Sequence, residues 1–447
     1  MVSRPQTVRI RRPNGISTSY QYDTLSRLLS VLHNGANDGA TYSYDLAGNR
    51  ISKQNVLTGI SETYTYDPVY ELTQVTQAVN TTESYSYDPV GNRLSSLLGQ
   101  YAYNTSNELT AFASNSYAYD KNGNMLSKTN AGSVTSYVWD WESRLSSITL
   151  PNNTGTIGFR YDPFGRRIQK TSPNGVTNYL YDGQNIVAEV SPLGAVLASY
   201  AQGAGIDEPL AMQRGGNAVY YHADALGSVT SFTNASAQTV ATYVYDSFGN
   251  TTATEGISNS FRYTGREDDS ARGLYYYRAR YYDPSIGRFI SEDPIGFDGS
   301  GTNFYAYVRS NPISLTDPLG LCPKKTDCLM KAFGGNNGVG LGLDLAGAAL
   351  AFSSGEGELL LAAQIGIGVA AVANSAMQAG NQGADGKVAL GTSLYGIGGI
   401  QLTALTPIAT GRAANFLTKF GKVSSGASVV LDSAMIWKAY SDCMGGK

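Results

Sequence analysis

The sequence predicts a mainly β protein made of tyrosine-rich hairpins, followed by a small α-helical, Gly/Ala-rich C-terminal domain. Three observations carry that reading. A Y-x-Y-D pattern returns at an almost constant interval, its aspartates falling at Asp23, Asp45, Asp67 and Asp88 and again at Asp120, Asp140, Asp162 and Asp182. Each copy is followed by turn-forming residues and then by Arg or Leu and an apolar pair. Finally, 30 of the 32 tyrosines lie in residues 1–321; only Tyr395 and Tyr440 lie beyond, where glycine and alanine take over.

The repeat comes first, because a fixed period decides the architecture. It reads YQYDTLSRL from Tyr20, YSYDLAGNRI from Tyr42, YTYDPVYEL from Tyr64 and YSYDPVGNRL from Tyr85. It continues as YAYDKNGNML from Tyr117, YVWDWESRL from Tyr137, FRYDPFGRRI from Phe159, YLYDGQNIV from Tyr179 and YVYDSFGNTT from Tyr243. A degenerate copy from Tyr101 has Asn104 in the aspartate slot. Aromatics two positions apart share one face of a strand. Asp with Pro, Gly or Asn supplies turn chemistry. One hairpin cannot bury its apolar face, but a stack can. Residues 1–260 therefore read as a continuous coiled β-sheet, its tyrosines serving cross-strand packing rather than sugar binding, and its aspartates serving turns.

Composition divides the chain at residue 321. Residues 1–321 carry 23 Lys+Arg against 28 Asp+Glu, net −5; residues 322–447 carry 9 against 7, net +2. The whole-chain charge of −3 gives no electrostatic case for nucleic acid, so no nucleic-acid partner is expected. Both histidines, His33 and His222, precede the break, and Cys322, Cys328 and Cys443 follow it. The cysteines read as free thiols, with a Cys328–Cys443 bridge as the alternative. The first residues, MVSRPQTVRIRRPNG, lack the apolar core of a secretory signal.

The run GLYYYRARYYDPSIGRFISEDPIGF, Gly273 to Phe297, and its continuation NFYAYVRSNPISLTDPLGL, Asn303 to Leu321, make the reading specific. Together with the repeats they resemble the Rhs (YD-repeat) polymorphic toxin family, over residues 1–321. The resemblance implies β-repeats in residues 1–260 that wind into a shell. It implies an RHS-associated core domain in 261–321 that plugs the shell, and a variable toxin-like domain in 322–447 carried as cargo. The stretch ahead of Gly273 is short at its N-terminal end for this family, and a partial β-cocoon is expected. The family cuts its cargo free by autoproteolysis after a DPxGL motif, which implies cleavage between Leu321 and Cys322.

Two DPxG elements supply the chemistry for that step. They are Asp293-Pro294-Ile295-Gly296 and Asp317-Pro318-Leu319-Gly320. Pro294 and Pro318 fix φ, and Gly296 and Gly320 free it, so each makes a tight turn. By resemblance Asp293 and Asp317 form a catalytic pair. Adjacent carboxyls share a proton, so one can activate water while the other donates to the leaving amine. Arg288 is the third candidate, to orient a carboxylate or stabilise the oxyanion. The competing reading is that both turns only shape the core domain. No metal or cofactor is called for.

The tail must speak for itself. It has no histidine and one arginine, Arg412, which weighs against His-based nucleases, zinc proteases of the HExxH type and Cys–His proteases. Residues 359–384 and 388–411 carry no charge, and each exceeds the roughly 20 residues that span a bilayer as helix. Ala362, Gly366 and Ala370 have the small-xxx-small spacing of close-packed membrane helices. The expectation is a membrane-entering helical hairpin, with a compact soluble helical domain, bearing an unrecognised enzyme site, or an inert tail as alternatives. The whole chain then reads as a toxin delivered to the outside or surface of a bacterium. The resemblance implies its own tail and an immunity protein as partners, and the uncharged spans add a target membrane. The rival class is a cell-surface scaffold whose repeats hold a glycan.

Overall fold

The computed structural model describes residues 7–34, 38–254, 256–269, 273–299 and 301–321. Beyond residue 321 it describes residues 341–343, 350–352, 390–394 and 400–404. The chain divides into two compact units, one of residues 1–202 and 207–323, the other of residues 203–206 and 324–447.

The first unit is dominated by one antiparallel sheet of 25 strands, from β1 (Thr7–Arg11) to β25 (Thr251–Thr254). Each strand pairs with the next in sequence, as a hairpin repeat requires. No α-helix occurs among the described residues.

The motif aspartate builds the turn. In Asp88 the Oδ1 atom accepts from the amides of Val90 (3.0 Å) and Asn92 (2.8 Å), and Oδ2 accepts from the Asn92 side chain (3.0 Å). Asp23, Asp45, Asp140, Asp162 and Asp246 are held by an amide and the side chain of the residue four positions on in the same way. The residue three after the aspartate takes positive φ, as in Gly48 (90°), Gly91 (81°) and Gly165 (79°), which is why Gly recurs there.

The two aromatics of each motif part company. The first is a core residue: Tyr42, Tyr64, Tyr101, Tyr117, Tyr137, Phe159, Tyr179 and Tyr243 are all buried. The register shifts just before the second, as between Ser43 and Tyr44 or Ser86 and Tyr87. That shift lets the second ring reach back to the preceding repeat. Tyr44 Oη donates to Leu28 O (2.7 Å), Tyr87 to Leu72 O (2.8 Å), Tyr161 to Leu145 O (2.7 Å) and Tyr245 to Val229 O (2.7 Å). Trp139 does the same through Nε1 to Met125 O (2.7 Å). The tyrosines thus serve packing and hydrogen bonding between repeats.

The sheet also meets itself across long sequence distances. Strands β1 (Thr7–Arg11), β2 (Ser17–Tyr22), β3 (Leu28–Asn34) and β4 (Asp38–Tyr44), with the turns between them, lie against β22 (Asn217–Ala223) and β23 (Val229–Asn234). Asn14 donates to Asn234 O (2.9 Å), and the Ala225 amide donates to Tyr42 Oη (3.1 Å). This contact is the seam of the coil.

A separate four-stranded sheet follows, β26 (Glu267–Asp269), β27 (Leu274–Tyr277), β28 (Arg280–Asp283) and β29 (Arg288–Phe289). Leu274, Tyr276, Tyr281, Ile286 and Ile290 join one core with Tyr101, Leu109, Tyr137, Ile148 and Phe159 of the repeats. Buried Arg167, from the repeats, pairs with Glu267 and Asp269, and Lys170 adds a 2.6 Å contact to Asp269.

The described segments of the tail depart from the helical expectation. Residues 359–384 lie outside the described residues. Within 388–411, where the uncharged window predicts a helix, Leu390–Leu394 and Ile400–Ala404 are strands paired antiparallel. A second pair joins Leu341–Leu343 to Leu350–Phe352. The sequence contains part of the reason: IQLTA alternates apolar and polar residues with period two, which suits a strand better than a helix. Among the described residues no helix is long and apolar enough to cross a membrane.

Candidate active site

The two DPxG elements are local turns before they are a site. Asp293 Oδ1 accepts the Ile295 amide (3.1 Å), and the Gly296 amide donates to Asp293 O (2.9 Å). In the second element, Asp317 Oδ1 accepts the Leu321 amide (3.0 Å), and the Gly320 amide reaches Asp317 O (3.3 Å). Gly296 (φ 54°) and Gly320 (φ 66°) both need the left-handed region. Gly320 has a second reason: a Cβ there would collide with the Tyr277 carbonyl. Pro318 O accepts from Arg278, and Leu319 O from the Ala279 amide (3.1 Å), so the second DPxG turn is pinned to the turn between β27 and β28.

The fold brings both aspartates to one cation. Arg280, at the start of β28, places Nη2 3.0 Å from Asp293 Oδ2 and 3.5 Å from Asp317 Oδ2. Its Nε donates to Gly320 O (2.6 Å) and its Nη1 to Phe304 O (2.8 Å), while the guanidinium lies 3.7 Å from the Phe289 ring centroid. All three charged residues are buried. Burial pushes the Asp293 carboxyl up to about 6, against the pull of Arg280 and the Ile295 amide and with the help of the nearby Asp317 charge. A buried group that exchanges its proton near neutrality beside a second carboxyl has the makings of an acid–base pair.

Arg288 is placed elsewhere. Its Nη2 donates to Asn107 O (2.6 Å), and its guanidinium stacks on Tyr103 and Tyr305, at 4.9 and 4.8 Å. It ties the core segment to the repeats, and the arginine that holds both carboxyls is Arg280. Proximity of Arg288 to Asp293 in sequence misled, because the two carboxyls are gathered by strand packing. Leu321 ends the described stretch, and Cys322 lies outside it. Among the described residues no cluster of three or more metal-ligating side chains occurs.

A tyrosine-bridged hairpin sheet closing on a small β segment with a buried Arg–Asp–Asp cluster defines a YD-repeat shell protein. The Teneurin YD-shell family model matches residues 57–313, more than half the chain. The chain belongs to that family, within the YD-repeat group that includes Rhs toxins. Among curated proteins it is 35% identical, over 317 residues, to the tRNA3(Ser)-specific nuclease WapA of Bacillus spizizenii, covering 67% of this chain and 12% of the relative. It is 37% identical to the tRNA nuclease WapA of Bacillus subtilis over the same shares. It is 28% identical to the double-stranded DNA deaminase toxin A of Burkholderia cenocepacia, over 63% of this chain and 22% of that one. The chain thus spans about an eighth of the first two relatives. A crystal structure of TcdB2-TccC3-Cdc42 superposes with a TM-score of 0.56 at 22% identity, covering 70% of this chain and 19% of that one, and shares the fold.

Proposed function

We propose that this chain is the carrier and release segment of a bacterial polymorphic toxin, whose β-repeat unit cuts its own tail free after Leu321. The observation that carries the reading is the convergence of Asp293 and Asp317 on Arg280, with Asp317 also gripping the amide of Leu321. The proposed step is hydrolysis. A water adds to the Leu321 carbonyl carbon and gives its proton to one carboxylate. The Leu321–Cys322 bond breaks as the other carboxyl protonates the Cys322 nitrogen. The products are a Leu321 carboxylate and a Cys322 amine. Asp293, poised near 6, is the assigned proton donor. Arg280 positions both carboxyls and, through Gly320 O, the peptide before the seam.

The released tail is the effector, delivered outside the producing cell, which an immunity protein protects. Its target divides two ways. The membrane reading rests on uncharged residues 359–384. The relatives named for acting on tRNA and DNA favour nucleic acid instead, against the expectation from net charge. The tail's scarcity of His and Arg makes its own chemistry distinct from a His-based nuclease.

Intact-mass spectrometry of the freshly made full chain beside Asp317→Asn tests the release step. Fragments 1–321 and 322–447 in the wild type alone support it. A single uncut wild-type species removes self-release and leaves a structural scaffold. Dye-loaded liposomes and labelled tRNA, each incubated with the released tail, then decide the target.

A further inference from the structure

The chain has two histidines, distant in sequence, and the fold brings both to the seam of the coil. The rings of His33, on β3, and His222, on β22, have centroids 4.7 Å apart. Both are buried, at 2% and 0% exposure. His33 Nε2 faces the Ala223 carbonyl at 3.1 Å, which only accepts, so Nε2 carries the proton. His33 Nδ1 then accepts from Thr18 Oγ1 at 2.9 Å. That hydroxyl also receives Arg12 Nη1, whose Nη2 donates across the seam to Tyr221 O at 2.6 Å. His222 Nε2 shares a 2.8 Å bond with Thr233 Oγ1, and its Nδ1 has no hydrogen-bond partner.

The geometry points to an acid-sensitive latch: protonating the closely packed, mutually tilted His33–His222 pair releases β1–β4 from β22–β23. Each neutral ring fits its partners, and neither cation does. A proton on His33 Nδ1 would put a second donor and a second positive charge on the hydroxyl that Arg12 already occupies. A proton on His222 would bury an N–H with nothing to accept it, beside another ring of the same charge.

The surrounding charges do not rescue the cations. Asp38 faces the pair from β4, but its Oδ2 is taken by Thr230 and Ser231 (2.7 and 2.6 Å) and its Oδ1 by the Gly39 amide. Asp224 accepts the amides of Leu226 and Ser228 and faces Lys53 at 3.8 Å. Tyr20 and Glu208 act on Arg12, and Tyr42 is occupied by the Ala225 amide. Burial, against the pull of Asp38 and with the help of Arg12, holds His33 down to about 4; burial, then His33 and Arg12, hold His222 down to about 2.

The sign follows. A histidine whose closed-state pKa is depressed binds its proton better once the seam opens, near the ordinary value of about 6.5. The seam is fully held above about pH 6.5 and weakens as pH falls toward 4. Over that window each histidine raises the opening equilibrium by up to about tenfold per pH unit.

Hydrogen–deuterium exchange of the full chain, corrected for intrinsic rate, tests this between pH 7.5 and 4.5. Peptides over 28–34 and 217–223 should lose protection as pH falls, while peptides over 115–130 hold theirs. The double variant His33→Gln/His222→Gln should flatten the response. Seam protection that does not change with pH, or falls together with the control peptides, or falls equally in the double variant, overturns the latch. Should the double variant not fold, NMR of the two imidazoles in the wild type decides. Rings silent to pH 5 while seam exchange rises support the latch. Rings titrating near 6.5 in a chain whose seam stays protected refute it.

Discussion

Replacing Asp293 by Asn keeps the shape of the side chain and removes its titration. The wild-type carboxyl stands at about 6 because burial disfavours its charge. It is therefore about one-tenth protonated at pH 7 and about nine-tenths at pH 5. If the protonated form delivers the proton to the Cys322 nitrogen, wild-type cleavage speeds up about tenfold from pH 7 to pH 5 and levels off below. In Asp293→Asn the rate falls by roughly 10²–10⁴, the usual worth of a general acid. Stability moves the other way. A carboxyl whose folded pKa is raised from 3.8 to about 6 supports the fold below about pH 4 and loses that support as pH climbs through 6. The loss amounts to roughly 3 kcal/mol by pH 8. Asn never takes the charge, so the variant should be at least as stable as the wild type at pH 8. The assay is timed, quenched cell-free synthesis of the full chain across pH, read by intact mass for the fragment that begins at Cys322, with thermal melting of the uncut variant alongside. Wild-type cleavage in the Asn variant, a rate that rises with pH, or an Asn variant that melts well below an uncut reference such as Asp317→Asn would refute the reasoning.

Arg280→Met should leave two carboxyls without their shared cation and the Gly320 and Phe304 carbonyls without donors. In an uncut Asp317→Asn background, where Asp293 is the carboxyl that remains, a loss of about 3–5 kcal/mol, seen as a lower denaturant midpoint, is the expected cost; Arg288→Met, which loses the Asn107 O bond and the stacking on Tyr103 and Tyr305, should still release the fragment pair in intact-mass spectra. Gly320→Ala forces a Cβ against Tyr277 O at positive φ, and the fragment pair should fail to appear in intact-mass spectra. Tyr161→Phe removes the bond to Leu145 O of the preceding repeat and the 3.3 Å contact with the Tyr281 hydroxyl, for about 1–2 kcal/mol of melting stability, with cleavage retained. Asp88→Ala should cost about 1–2 kcal/mol by releasing two amides and the Asn92 side chain, with hydrogen exchange rising first in residues 85–96.

The repeat was legible because its physics is local. A strand, a bulge, an aspartate turn and a residue at positive φ are all written within one copy of the motif. The pairing of Asp293 with Asp317 was legible only through resemblance, since no period links the two DPxG turns. Arg280 was hidden in YYYRARYYD, where Arg278 is an equal candidate by sequence. Only the fold sends Arg278 to Asp207 (2.7 Å) and Arg280 to the carboxyls. The meeting of His33 with His222 had no signal, because it depends on how far the sheet turns between them. Within the tail, the departure at residues 388–411 has a different reason. Counting uncharged residues measures hydrophobicity over a window, whereas the short alternation in IQLTA was the informative signal.

The hydroxyl links between neighbouring repeats are nearly identical, so any repeat could stand beside any other. The coil seam is not so tolerant. Arg12 must find Tyr221, Asn14 must find Asn234, and Asp38 must find Thr230 and Ser231. Loss or gain of one whole repeat between Tyr64 and Tyr200 would leave every local bond intact yet present the wrong tooth to the wrong notch. The seam therefore acts as a counter: it fixes how many hairpins the chain can carry per turn, and copy number can drift only where no such mate exists.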